Sequence, residues 1–516
     1  MSWHRPRWLS TRTALLLIVA GGFALRLWGL TRQAIWVDEQ FTLKFAGLER
    51  PLTWVGLLQN LHGPLHAALL HLWCGLFGWG EFAVRLPQAI LSAASVPLLF
   101  WAARPVFGEK RALAGSLLLA LNPFHIWYAQ EVRNYTLLML FAILGLGVLQ
   151  RLDSSSSPRR RIAEIALVWF GGIASNLAYA FHIAASGLWG LFRFRARRSA
   201  LVSLLLAGAI TIVASLPWIV QFYERRITSS HLLRLGTVPV EERIRGETTA
   251  PILALPYAAY AFSVGFTLGP SLRELRQTPS LAIAGAHPAA IAATAAVFGV
   301  LAIAGLIRWV RGDARRRLWL LALALPVLLA FIAAARNVKV FNPRYASAAL
   351  PAYMMLLVDG AVALNPRRLG ALFFAGSLIL AGASIVQSQT QPGYWKEDTR
   401  SAAGVLRAEM KPGDLAFIIG GWDPIARYYW TPLRDDPSLR HYFPPYRVTP
   451  EESPADAEKA LAEIRSARRT YVVFCRDDFE DPPGRWEAFL RARFAIERAW
   501  SFPGSRVWKL GAEQGS

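Results

Sequence analysis

The strongest constraint on this chain is a series of uninterrupted apolar runs, most of them 16 residues or longer. A helix of that length reaches across the ~30 Å hydrocarbon layer of a bilayer. Runs near 13–30, 84–103, 112–127, 135–150, 162–177, 179–192, 200–219, 288–307, 318–335, 346–363 and 370–387 predict eleven spans. Only 17% of the 516 residues are charged, against about 25% in a typical soluble domain. The 20 tryptophans suit interfacial belts. The first run is too long for a signal-peptide core and lacks an A-x-A cleavage site, so it is predicted to remain as the first span. The stretch 64–79 carries His66 and His71 and is short; it is predicted to lie at the interface.

Charge sets the orientation. With the N-terminus in the cytoplasm, the inner segments hold 21 Lys/Arg in 52 residues and the outer loops 15 in 143. That asymmetry follows the positive-inside rule, and it reverses if 64–79 is counted as a span. The net charge of +22 therefore belongs to membrane loops and excludes a nucleic-acid binder. An odd number of spans places the C-terminus outside.

From residue 388 the character changes. Turn signals separate two β-like runs, "DLAFIIGG" and "RTYVVFCRDD", and a helical segment opened by Ser453 and Pro454. The predicted architecture is a polytopic α-helical membrane domain with outer-face interfacial helices (1–387), followed by a small extracytoplasmic α/β domain (388–516). Cys74 and Cys475 lie far apart and match no disulfide or metal pattern.

With this threading, chemistry-bearing residues gather on one face. "WVDEQF" (36–41) sets Asp38 and Glu39 between Trp36 and Phe41 at a membrane edge. His62, Arg85, Glu131, Arg133 and Arg344 fall in loops of the same side. Each has a plain reading: Asp38 and Glu39 as loop acids, His62 as a turn residue, Glu131 and Arg133 as each other's partner, Arg85 and Arg344 as interfacial arginines. Arg26, within the first span, is read as snorkelling. Taken together they suggest more. Arginine suits bidentate phosphate binding, and a carboxylate suits removing a proton from a hydroxyl. A phosphate and a hydroxyl at a bilayer edge point to transfer of a group from a lipid phosphate.

Four stretches then carry a resemblance to the GT-C superfamily of polyprenyl-phosphate-sugar glycosyltransferases, nearest to bacterial members of glycosyltransferase family 39, which are similar to protein O-mannosyltransferases and the aminoarabinose transferase of lipid A. "WVDEQF" resembles the first-loop Asp-Glu motif. "HGPLHAALLHLWCGLFGWGEFAVRLP", "NPFHIWYAQEVRNYTLL" and "FNPRYASAALPAY" resemble three later blocks. The likeness covers residues 13 to about 400 and is weakest between 200 and 330. It implies Asp38 as catalytic base, with Glu39 shaping the site and Glu131, the acidic member of the second outer loop, as the third catalytic residue; His62, Arg85, Arg133 and Arg344 lie at the donor phosphate. Trp36, Tyr128 and Tyr345 are the expected substrate-lining aromatics. Gly63 stands where the pattern has the first proline of "HPPL", which leaves the rigidity of that turn open, and no basic residue follows "PL".

The expected function is inverting transfer of a sugar from a polyprenyl-phosphate donor to a hydroxyl acceptor in the cell envelope, at the outer face of the cytoplasmic membrane. A transporter of a lipid-linked or anionic substrate is the alternative. Asp38, Glu39 and Glu131 offer ligands for a divalent cation, though no spacing demands one.

Overall fold

The computed structural model describes residues 10–58, 63–152, 157–228, 253–277, 282, 285–336, 341–444, 449–476 and 484–514. His62 lies outside them. Helices occupy all eleven predicted spans. Among the described residues, six are long and apolar enough to cross a membrane: α4 (Glu81–Phe107), α10 (Arg198–Thr228), α12 (Pro288–Val310), α13 (Ala314–Ala335), α14 (Leu350–Ala363, preceded by a 3₁₀ turn from Pro343) and α15 (Arg367–Thr390). The pair α5 (Glu109–Ala120) and α6 (Pro123–Ala129) is bent by 55°, a broken span or a re-entrant loop. The remaining predicted spans are helices of 16 to 18 residues: α1 (Thr11–Leu27), α7 (Tyr135–Gln150), α8 (Pro158–Ser175) and α9 (Tyr179–Phe194). The chain is a multi-pass membrane protein. Shorter helices, among them α2 (Val37–Ala46) and α3 (Pro64–Phe77), fill the first long loop, and α11 (Ala254–Val264) packs beside α6. His71 on α3 hydrogen-bonds the Ala46 carbonyl at 2.8 Å, tying α3 to the end of α2.

The bend between α5 and α6 has a local cause. Pro123 cannot donate to the helix, so the ladder stops and the last carbonyls of α5 are left short of partners, Leu119 O keeping a long 3.3 Å bond from Asn122 N. Arg26 supplies donors: its guanidinium reaches Ala120 O at 2.9 Å and Leu119 O at 3.3 Å, with Gly22 O, Ser92 Oγ and His125 Nδ1 at 2.7–2.8 Å. Arg26 is wholly buried, so the snorkelling expectation is corrected. Carbonyls freed by the helix break draw the side chain inward and join α1, α4 and α5.

Gly63 sits at φ +101° directly before α3. A Cβ there would lie 2.2 Å from the Ser175 carbonyl oxygen at the end of α8. Proline, fixed near φ −65°, does not fit, and close contact with α8 sets this turn instead.

At the opposite end of the bundle Asp359, fully buried on α14, accepts from Arg111 at 3.0 Å and from the Trp309 indole at 3.0 Å. Arg316 and Arg308 lie 3.5 and 3.8 Å away.

The C-terminal domain is a five-stranded sheet in the order β2-β1-β3-β5-β4, from β1 (Leu415–Ile419), β2 (Arg440–Tyr442), β3 (Thr470–Cys475), β4 (Phe494–Phe502) and β5 (Ser505–Glu513). Strand β1 is parallel to β2 and β3, whereas β5 is antiparallel to β3 and β4. Every residue of β1 and β3 is buried, because apolar clusters cover both faces. One forms with Ala402 and Leu406 of α16 (Thr399–Glu409), the other with Leu461 of α17 (Pro454–Ser466) and Trp486 of α18 (Arg485–Arg491). Ser453 caps α17 through the Asp456 amide, as its sequence predicts.

Gly63→Ala should destabilise the protein. An L-residue rarely adopts a backbone at φ +101° and ψ 123°, and the Cβ also meets Ser175 backbone. A lower melting temperature in detergent than wild type is the expected result; an unchanged one contradicts the described packing.

Candidate active site

The chain leaves α1 at Leu27 and turns back into α2. Asp38 and Glu39 fall in the first turn of α2, where the exposed amides favour negative charge, and Gly47 closes the helix at φ +105°. Glu39, at the third helical position, also accepts from the Trp36 amide at 3.4 Å. The adjacent acids then face different surroundings.

Glu39 is fully buried and bound to Arg85, with Nε to Oε1 at 2.9 Å and Nη2 to Oε2 at 2.7 Å. Val132 N adds a bond to Oε1 at 2.8 Å. Arg85 gives its remaining N–H groups to the carbonyls of Leu30, Gln33 and Ala34 at 2.7–3.0 Å. All five guanidinium donors are thereby used, and no donor is left for a phosphate. This corrects the expected role of Arg85: it lies within helix α4 rather than a loop, and the carboxylate and carbonyls of the first loop hold it. Burial alone would raise the Glu39 carboxyl; the Arg85 and Lys396 charges, with the hydrogen bonds from Arg85 and Val132, more than offset this and hold it below the usual carboxylate range. Both Glu39 oxygens are occupied by these bonds, and through them the residue anchors its loop to α4 and to Val132.

Asp38 is different. Its side chain is 26% exposed and its Oδ2 lies 3.2 Å from Arg344 Nη1. Arg133 donates to the Asp38 backbone carbonyl at 2.9 Å and to Thr42 Oγ1 at 3.0 Å. Both guanidiniums approach the Tyr135 ring, at 5.8 Å for Arg133 and 5.7 Å for Arg344. Arg344 also lies 5.3 Å from the ring of Tyr345. The Nε atoms of Arg133 and Arg344 are buried without a hydrogen-bond partner among the described residues. Two arginines thus face one carboxylate, with donors to spare.

Glu131, at the end of the turn after α6, is bound by Lys396 at 2.7 Å, not by Arg133. The Lys396 ammonium also lies 5.2 and 5.1 Å from the rings of Trp36 and Trp127. Trp36 and Tyr128 are buried and Tyr345 half-buried; Tyr128 packs edge-on against Tyr135 at 4.9 Å. The structure therefore brings together Asp38, Arg133, Arg344, Tyr128 and Tyr345, with Glu39 and Arg85 beneath them and Glu131 to one side. Sequence reasoning missed Lys396, which fell in the assumed soluble tail, and Tyr135. The signal for Lys396 was its neighbour Trp395, a belt-type aromatic close to the last span.

As a cation site the three acids fit poorly. Asp38, Glu39 and Glu131 each face their own cation. Among the described residues no group of three His, Cys, Asp or Glu side chains is placed to hold a metal.

Residues 61–220 match the family model described as Dolichyl-phosphate-mannose-protein mannosyltransferase. No curated protein matches the sequence. Among solved structures, ArnT from Cupriavidus metallidurans bound to undecaprenyl phosphate is similar over 96% of this chain and 97% of its own, at 13% identity and a TM-score of 0.54. The oligosaccharyltransferase of Archaeoglobus fulgidus in complex with zinc and sulfate is similar over 92% of this chain and 69% of its own, at 12% identity and a TM-score of 0.53. The archaeal oligosaccharyltransferase AglB from the same organism, with an inhibitory peptide and a dolichol-phosphate, is similar over 98% and 74%, at 12% identity and 0.50.

Breaking the Glu39–Arg85 pair should cost about 3–5 kcal/mol, because it strands a buried charge. Arg85→Met is expected to lower the melting temperature sharply; Arg344→Ala, at a half-open site, is not. Equal stability of the two variants contradicts these roles. A carboxyl held below its unfolded value adds stability above the ordinary carboxylate range, and this is lost as pH falls through the folded value. Glu39→Gln should therefore melt lower than wild type at pH 7, with the gap narrowing on acidification. A gap that widens contradicts the depressed carboxyl.

Proposed function

We propose, for a chain with the GT-C fold, that this protein transfers a sugar from a polyprenyl-phosphate donor to a hydroxyl acceptor. The observation that carries the reading is the site at Asp38: a half-open carboxylate beside two arginines with buried, unused donors. The family-model match over residues 61–220, which contains Glu131, Arg133 and Tyr135, supports it, as does the fold shared with proteins solved with undecaprenyl phosphate or dolichol-phosphate.

In this reading Asp38 accepts the proton of the acceptor hydroxyl as its oxygen attacks the anomeric carbon. The new C–O bond forms with inversion, and the bond from the anomeric carbon to the phosphate oxygen breaks. Negative charge grows on the departing polyprenyl phosphate. Arg344 and Arg133 meet it with donors that need no reorganisation, in a site where burial strengthens the interaction. The Tyr135 ring lies against both guanidiniums, with Tyr128 and Tyr345 beside it. The acceptor is a hydroxyl of an envelope lipid, glycan or protein. The site end of the bundle faces outward from the cytoplasmic membrane, with the N-terminus in the cytoplasm and the C-terminal domain outside. The transporter alternative has no comparable support, because every carboxylate of the cluster is already neutralised by an adjacent cation.

The test is turnover by purified protein in lipid nanodiscs. A panel of polyprenyl-phosphate mannose, glucose, galactose and arabinose is offered with an envelope lipid extract, and release of polyprenyl monophosphate is followed. Turnover of at least one donor is expected, and none with any donor overturns the reading. Asp38→Asn should lose about 10²–10⁴ in rate, the usual scale of general-base help, while still binding undecaprenyl monophosphate. Arg344→Ala should bind that probe more weakly by about 1.5–3 kcal/mol. Wild-type turnover by Asp38→Asn excludes it as the base.

A further inference from the structure

The sequence up to residue 387 supplies every residue first expected at the site, yet Lys396 enters it from six residues beyond the end of α15 at Thr390. Its side chain is 10% exposed. The groups it touches belong to opposite walls of the site. Trp36 stands at the start of α2, two residues ahead of Asp38. Glu131 stands two residues ahead of Arg133, whose guanidinium holds the Asp38 carbonyl. Lys396 is the polar partner of the Glu131 carboxylate among the described residues; Glu131 Oε2 is buried with no hydrogen-bond partner there.

The strand of chain around Lys396 is itself pinned to the first loop. Lys396 N donates to Gln33 Oε1 at 3.1 Å, and Thr399 Oγ1 to the Ile35 carbonyl at 2.7 Å. From deeper in the C-terminal domain, Tyr429 accepts from Ile35 N at 2.7 Å and donates to Glu81 at 2.6 Å. Both polar groups of the Ile35 backbone are thus held by the C-terminal domain and its leading segment, directly before Trp36.

We infer that Lys396 is a positioning residue of the transfer reaction: by bridging Trp36 and Glu131 it fixes Asp38 relative to Arg133, so that the C-terminal domain completes the active site. The inference rests on the function proposed above. Lys396 does not take part in the bond changes. It acts on where the base sits when the acceptor hydroxyl arrives.

The test uses full-length protein in nanodiscs and the donor that the wild type turns over. Lys396→Met should lower kcat about 10- to 100-fold, the scale of a misplacement of about 1 Å, with donor KM nearly unchanged, since a contact that matters only in the transition state leaves ground-state binding alone. Lys396→Arg keeps the charge and should recover part of the rate. Arg427→Ala breaks another contact of the same domain, to Glu49 at 2.6 Å, away from Trp36 and Glu131; it should leave kcat at the wild-type value. Wild-type kcat in Lys396→Met overturns the inference, and so does an equal loss in Arg427→Ala, which would reduce Lys396 to domain docking. If Lys396→Met does not fold, Glu131→Gln probes the pair from the other side: the same fall in kcat supports the inference, and normal kcat overturns it. A wild type that turns over no donor removes the proposed function and the inference with it, whereas an active wild type with an unaffected Lys396→Met removes the inference alone.

Discussion

The site end of the molecule is organised around the Glu39–Arg85 pair. A buried ion pair is poor evidence of net stability, since desolvation of both groups offsets their attraction. Its value here is geometric. Arg85 is fixed on the long helix α4, and its five donors gather three carbonyls from the turn 30–34 and the Glu39 carboxylate of α2. Glu39 passes the constraint on to Val132 in the next turn. Two loops far apart in sequence are thereby registered on one helix, and Asp38 and Arg133 inherit their positions from it.

This division of labour between adjacent acids explains what a sequence can and cannot reveal. The spans were legible because apolar length is a one-dimensional property, and helices occupy all eleven runs. The strands at 415–419 and 470–475 and the Ser453 cap were legible for the same reason: pattern and capping are local. That acids and arginines would meet at one end followed from threading alone. Which of them would be saturated did not. Arg85 and Arg344 look alike in sequence, both arginines beside a span. Only the count of nearby carbonyls separates an anchor from a group with donors to spare.

Arg26 and Lys396 failed for a related reason. The snorkelling expectation assumed that no acceptor lies at depth, but the break before Pro123 creates acceptors 94 residues away in sequence. Lys396 lies past the last apolar run and was assigned to a separate domain by composition. Its partners Trp36 and Glu131 precede it by hundreds of residues, and no local pattern announces such a contact. The antiparallel hairpin of β4 and β5 was missed as well. Only Phe494 of β4 is buried, so its hydrophobic signal is weak.

At the far end of the bundle, Asp359 sets a boundary condition on motion. One carboxylate holds Arg111 of α5, Trp309 and Arg308 of α12 and Arg316 of α13 against α14. Three like charges share a single counter-charge, and sliding one of these helices along another would pull an arginine away from the carboxylate that neutralises it. If the proposed function holds, the site end of the bundle, which among the described residues carries no such cluster around Asp38, is the end with freedom to admit a lipid-linked donor.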